Sequence, residues 1–160
     1  MKGKNFMSIR RIVFCFLTII VLLPFYSPAQ DKGFGIGAII GEPTGISIKN
    51  WLTSSTAIDA ALAWSFVRET SFHIHADYLF HSHDAIKTEE PVILYFGIGG
   101  RIKTGKNEQA LFGARGVIGI AYFFEKAPVD LFLEAAPIID LTPATAFRFN
   151  AGFGIRYFFK

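Results

Sequence analysis

From residue 33 to the C-terminus, large apolar side chains alternate with small or polar ones, position by position. Residues 56–66 put Thr56, Ile58, Ala60, Leu62, Trp64 and Phe66 on one face, and Ala57, Asp59, Ala61, Ala63 and Ser65 on the other. A period of two is the mark of a β-strand with unlike faces. The pattern returns after Val67-Arg68-Glu69-Thr70, where Phe72, Ile74, Ala76, Tyr78 and Phe80 oppose His73, His75, Asp77 and Leu79. It returns again with Val92, Leu94, Phe96 and Ile98 against Tyr95, Gly97, Gly99 and Arg101, and with Phe112, Ala114, Ile118, Ile120 and Tyr122 against Gly113, Arg115, Gly119 and Ala121. Val129, Leu131, Leu133 and Ala135 oppose Asp130 and Glu134. Phe147, Phe149, Phe153, Ile155, Tyr157 and Phe159 oppose Arg148, Asn150, Gly152, Gly154 and Arg156. Two earlier segments, Gly33 to Gly41 and Gly45 to Leu52, complete a set of about eight strands of about 9–11 residues. No helical period competes over a comparable length.

The two faces decide which side meets which solvent. One is uniformly bulky, aromatic or branched; the other mixes glycine, alanine and charge. The interior of a barrel of about eight strands is just wide enough for side chains to fill. Small residues there make room for long charged ones, and buried charges require partners. An interior polar network of Lys49, Asp59, His73, His75, Asp77, Arg101, Arg115, Asp130, Glu134, Arg148 and Arg156 is therefore expected, surrounded by a lipid-facing shell. If the strands run alternately up and down from a periplasmic start, aromatic residues gather at both ends. These are Phe34, Tyr78, Phe80, Tyr122, Phe124, Tyr157 and Phe159 at one end, and Trp64, Phe66, Phe72, Phe112 and Phe147 at the other. Such paired girdles belong at the two interfaces of a membrane. Trp51 lies at the first end too, although strict alternation turns it inward. The pattern predicts an all-β fold: an up-and-down antiparallel transmembrane β-barrel of about eight strands with a plugged lumen.

The N-terminus has a different character. Lys2, Lys4, Arg10 and Arg11 precede an apolar stretch from Ile12 to Phe25, and Ser27-Pro28-Ala29 supplies small residues before Gln30. This is the form of a secretory signal peptide cleaved after Ala29, so residues 1–29 are expected to be the signal and residues 30–160 the barrel domain. The full chain carries a net charge of +3; removing four basic residues and no acids leaves −1. The basic balance therefore belongs to the leader and does not indicate nucleic-acid binding. The single cysteine, Cys15, lies inside the apolar stretch without the small residue that a lipidation site needs before it, and it departs with the signal. The mature chain is thus expected to hold no disulfide and no cysteine metal site. Although 51% of residues are hydrophobic, no uncharged apolar run of about 18 residues follows the leader to supply a spanning helix.

The leader, the inside-polar strands of even number and the aromatic C-terminus Gly154-Ile155-Arg156-Tyr157-Phe158-Phe159-Lys160 resemble those of the small OmpA/OmpX-like outer-membrane barrels. Gly41-Glu42-Pro43-Thr44-Gly45 and Asp140-Leu141-Thr142-Pro143-Ala144-Thr145 resemble stretches of uncharacterised outer-membrane β-barrel proteins. The resemblance implies an outer-membrane location and assembly by the barrel-insertion machinery, which recognises an aromatic at the end of the last strand. This chain departs from the pattern in ending one residue later, at Lys160. It also lacks long outer loops, since its longest connection, about His81 to Glu90, falls on the periplasmic side.

Candidate chemistry is sparse. His73, His75 and Asp77 share an inward face at a spacing that suits metal ligation or acid–base work; the competing reading is polar filling of the lumen. His81-Ser82-His83 at a strand exit reads either as a weak metal or proton-sensing loop or as plain surface. Some barrels of this kind modify lipid A through a Ser-His-Glu array, and Ser71, His73 and Glu134 are the inward candidates for one. Gly100-Arg101-Ile102-Lys103-Thr104-Gly105-Lys106-Asn107 imitates a phosphate loop but lacks the metal-binding hydroxyl and the following helix, and residues 103–108 read as a hairpin turn. No catalytic, cofactor or metal residues are assigned. The expectation is a non-enzymatic outer-membrane barrel of structural or interaction type, monomeric, in contact with outer-membrane lipids and binding no nucleic acid. Its alternatives are a narrow porin-like channel, a lipid A-modifying enzyme and a soluble periplasmic ligand-binding barrel.

Overall fold

The computed structural model describes residues 33–42, 44–65, 71–105 and 110–159. The expected leader, Phe66, the turn at 67–70 and the tip of the hairpin after Gly105 lie outside these residues.

Eight strands follow one another without a helix among the described residues: β1 (Phe34–Glu42), β2 (Thr44–Trp51), β3 (Thr56–Ser65), β4 (Ser71–Ser82), β5 (Val92–Gly105), β6 (Leu111–Phe123), β7 (Val129–Thr142) and β8 (Ala146–Phe159). Each pairs antiparallel with the next, and β8 returns to β1, giving a closed up-and-down barrel. The closing seam runs without a break from Phe34↔Phe159 to Glu42↔Ala151. Closure leaves no edge strand, so the ladder pairs the backbone almost all round, with one lapse between β6 and β7.

The strands are less uniform than their pattern predicts: β1 to β3 span 8 to 10 residues, and β4 to β8 span 12 to 14. Apolar alternation marks only the part of a strand where its two faces meet different media. β4 extends through His81 and Ser82, and β5 continues through Lys103 to Gly105 in place of an early turn.

Connections alternate between the two ends of the barrel. At the end opposite the start of β1 and the finish of β8 they are short, the first being a single residue between Glu42 and Thr44. Gly41 makes that reversal possible. Its φ of 143° is strained for any residue with a Cβ. The Thr44 hydroxyl then bridges the turn, accepting from the Gly41 N–H at 3.1 Å and donating to its carbonyl at 2.9 Å. The longest connection, residues 83–91, lies at the end that holds the start of β1.

Burial alternates with the sequence. Ile58, Leu62, Trp64, Ile98, Phe147 and Phe153 are exposed on the outer wall, while Lys49, Asp59, Arg115, Asp130 and Arg156 are enclosed. The barrel is polar at its centre and apolar outside, the inverse of a domain folded in water.

Candidate functional site

The lumen holds most of the charges the inner face supplies. Glycine and alanine on the small-residue face give those side chains room. A Cβ on Gly154 would run into the Phe132 ring, and one on Gly119 into Tyr95. Ala57, Ala61 and Ala63 line β3 with almost no exposed surface.

Arg156 is the hub. Its Nε and Nη2 donate to the Asp130 carboxylate at 3.1 Å each, and its Nη1 donates to Asp59 at 2.5 Å. Its guanidinium lies over the Phe132 ring, 3.9 Å from the centroid. A planar five-donor group suits two carboxylates and an aromatic face together, which an ammonium cannot match. Across the lumen, Arg115 donates to Glu134 at 3.1 Å and stands 3.1 Å from Asp77 without hydrogen-bond alignment. The Tyr95 hydroxyl donates to the second Glu134 oxygen at 3.3 Å. Arg101 forms a fork with Asp140, with bonds of 2.7, 2.8 and 3.0 Å.

Arg156–Asp130 and Arg115–Glu134 tie adjacent strands. The others join strands that are not neighbours in the wall: Arg156 on β8 reaches Asp59 on β3, Arg115 on β6 faces Asp77 on β4, and Tyr95 and Arg101 on β5 reach β7. These cross the lumen rather than line it.

Lys49 differs from the other cations. Its Nζ is 2.8 Å from His81 Nε2, and it lies 4.4 Å from the Trp51 ring centroid, 5.4 Å from Tyr95 and 5.8 Å from Phe123. Trp51 and His81 pack at 4.2 Å. An aromatic box around an ammonium replaces part of its lost hydration through the ring faces. Trp51 thus follows strict alternation and is no girdle residue, and His81 is enclosed in the lumen rather than in an exit loop; His83 is exposed.

Of the residues expected inside, Lys49, Asp59, His73, His75, Asp77, Arg101, Arg115, Asp130, Glu134 and Arg156 are buried. Arg148 is not. Its side chain is 48% exposed at the far rim, reaching Asp140 at 3.6 Å. At the mouth of the barrel its long stem lets the guanidinium stay in water. Asp140 escaped the sequence reading, although it continues the β7 face that begins with Asp130 and Glu134. Of the girdle residues, Phe34, Trp64, Phe72, Tyr78, Phe80, Phe112, Phe124, Phe147 and Phe159 are exposed on the wall. Tyr122 and Tyr157 are half-buried, packed edge-on against Phe124 and Phe159.

Asp59, His75 and Asp77 bring one ligand atom each within 4.8 Å of one another. Both carboxylates already face a guanidinium, Arg156 and Arg115 respectively, so a divalent cation there would have to displace two buried positive charges. The residues fit an ion-pair network better than a metal. For the hydrolase array, Glu134 is held by Arg115 and Tyr95, and the ring beside His73 is His75 at 5.3 Å. The Ser71 side chain lies outside the described residues.

Two solved structures share this architecture. One is the N-terminal β-barrel domain of Pseudomonas aeruginosa OprF, with a TM-score of 0.56 and 15% identity over 79% of this chain and 95% of that one. The other is Neisserial surface protein A (NspA), with a TM-score of 0.54 and 15% identity over 79% of this chain and 93% of that one. The fold is that of the small OmpA/OmpX-like eight-stranded barrels. No protein-family model and no curated protein matches the chain in sequence. At this identity the kinship is one of architecture, carried by period and closure rather than by shared residues.

Proposed function

We propose that this chain is an integral outer-membrane barrel of structural or interaction type, its lumen closed by its own side chains. The observation that carries the reading is the inverted polarity of a closed barrel. Five carboxylates and their cations are enclosed, while Ile40, Ile98, Phe147, Phe149 and Leu141 are more than half exposed on the wall. In water such a wall would be an apolar patch far beyond that of a monomeric protein; in a bilayer it is the surface that lipid solvates. The kinship in fold with OprF and NspA supports the same location, as do the secretory leader and the aromatic end of β8.

Ion pairs that span the lumen support a closed barrel over a channel. A conducting path would have to part Arg156 from Asp59 and Arg115 from Asp77 in a low-dielectric interior, where separating paired charges is costly. Short connections at the far end support a role carried by the wall and rims rather than by long receptor loops.

Planar-bilayer recording of the refolded chain tests the closed lumen. The expectation is no stable conductance steps. Reproducible open steps from homogeneous protein would replace the closed barrel with the narrow channel.

A further inference from the structure

At nearly every described glycine an added Cβ would come within 3.0 Å of backbone, a packed ring or another side chain. Gly100 and Gly116 are the exceptions among the described residues. A Cβ on Gly100 would come no closer than 3.7 Å to its neighbours, and on Gly116 no closer than 3.8 Å. Both sit on the outer face, where the neighbouring outward positions are Ile98, Ile102 and Ile118. Glycine weakens a strand unless something must approach its backbone closely. Nothing among the described residues does.

These glycines form the floor of one groove. Ala76 pairs with Gly100, and Gly100 with Ala114, so a row of small residues crosses β4, β5 and β6. Gly116 and Pro137 continue it toward β7. Two adjoining hollows, of about 720 Å³ and 490 Å³, share Gly99 and Ala114 and are walled by large apolar side chains, among them Tyr78, Phe112, Ile139 and Phe147. The floor of the groove lies three to five residues from the far ends of its strands.

The floor also holds a polar group in want of a donor. Pairing of β6 with β7 lapses between Arg115↔Ile138 and Ile118↔Ala135, while β7 pairs with β8 continuously through Pro137↔Phe149. The missing bond is therefore the one Pro137 would donate toward Gly116, and proline has no N–H to give. The Gly116 carbonyl, directed along the sheet toward Pro137 at the floor of the groove, lacks that donor, and an unmet acceptor is costly where water is excluded.

We propose that this groove binds the hydroxylated acyl chain of an outer-leaflet lipid, the hydroxyl donating to the Gly116 carbonyl. An unmodified acyl chain fills the apolar hollow but offers no donor; a hydroxylated one meets both features. The far end faces outward under the topology in which both termini are periplasmic, which sets the groove in the outer leaflet. The proposal rests on the membrane-spanning reading above.

Native mass spectrometry of the refolded full barrel tests it. The protein is titrated with a phosphatidylethanolamine bearing β-hydroxymyristoyl chains and, separately, with its unhydroxylated counterpart. The hydroxylated lipid is expected to bind roughly five- to tenfold more tightly, the worth of one net hydrogen bond. Pro137→Val restores the missing N–H and should reduce that preference to about unity; Gly116→Val or Gly100→Val fills the floor and should weaken both lipids. A Cβ at either glycine makes only ordinary contacts, at 3.7 Å and 3.8 Å, and a heat-dependent gel shift checks that each variant still forms the barrel. Equal binding of the two lipids by the unaltered chain overturns the proposal, as does a preference that survives Pro137→Val. A complex of two protein copies lost in Gly116→Val would assign the groove to self-association and overturn it as well. Loss of the gel shift in the unaltered chain would instead count against the membrane barrel itself.

Discussion

At the scale of single residues, the buried charges fall into two kinds. Arg156 is fully enclosed and holds two carboxylates, so removing it strands Asp59 and Asp130 in the lumen. Arg156→Met should destabilise the barrel by about 3–5 kcal/mol, the usual cost of leaving a buried partner unpaired. Lys49 has aromatic faces and a histidine about it and, among the described residues, no carboxylate within hydrogen-bond reach. Lys49→Met keeps the shape, removes a desolvated charge and orphans no anion, so it should change stability by less than about 1.5 kcal/mol. Urea titration of the refolded variants in detergent micelles distinguishes them; equal losses would show that Lys49 too is held mainly by charge. The sequence marks these residues as inward because alternation needs only the identity of neighbours. It does not tell which acid meets which base. Arg156 and Asp59 are far apart in the chain and meet only because the barrel closes, and the aromatic box around Lys49 draws on β2, β4, β5 and β6. Arg148 was misread for a related reason: alternation reports the face of a strand and not the depth along it.

At the scale of the strand, the inner face is fitted by size. Gly154 on β8 opens the space that Phe132 fills, and the Phe132 ring in turn supports Arg156. Gly154→Val should force that ring aside and cost about 1–3 kcal/mol, as overpacking does elsewhere. The same change at Gly100, on the outer face, meets no such obstacle. Comparing the two variants by urea midpoint checks the assignment of inside and outside directly, since an inverted barrel would reverse their order. Strand identity and order were legible, because eight stretches of period two with turn residues between them leave little other choice. Strand ends were not. β4 runs on through His81, a polar residue turned into the lumen that apolar alternation does not mark, and β5 runs on through Lys103 and Thr104 toward the rim. The lapse at Pro137 is likewise legible as a proline in a strand, but which neighbour loses a bond depends on the register.

At the scale of the whole molecule, closure and polarity account for each other. A barrel of eight strands has a lumen only as wide as its side chains, and here those side chains carry opposite charges that pair across it. The outer wall then presents mainly apolar side chains. Both properties follow from the same alternation, which is why a chain at 15% identity can share its architecture with OprF and NspA. Residence of this closed, inside-polar barrel in an outer membrane is tested by electrophoresis of the outer-membrane fraction of expressing cells, with and without boiling. The protein is expected in that fraction, migrating at a different position before boiling because the closed ladder resists detergent. Recovery of the chain in the soluble periplasm, with the same mobility boiled or unboiled, would contradict it.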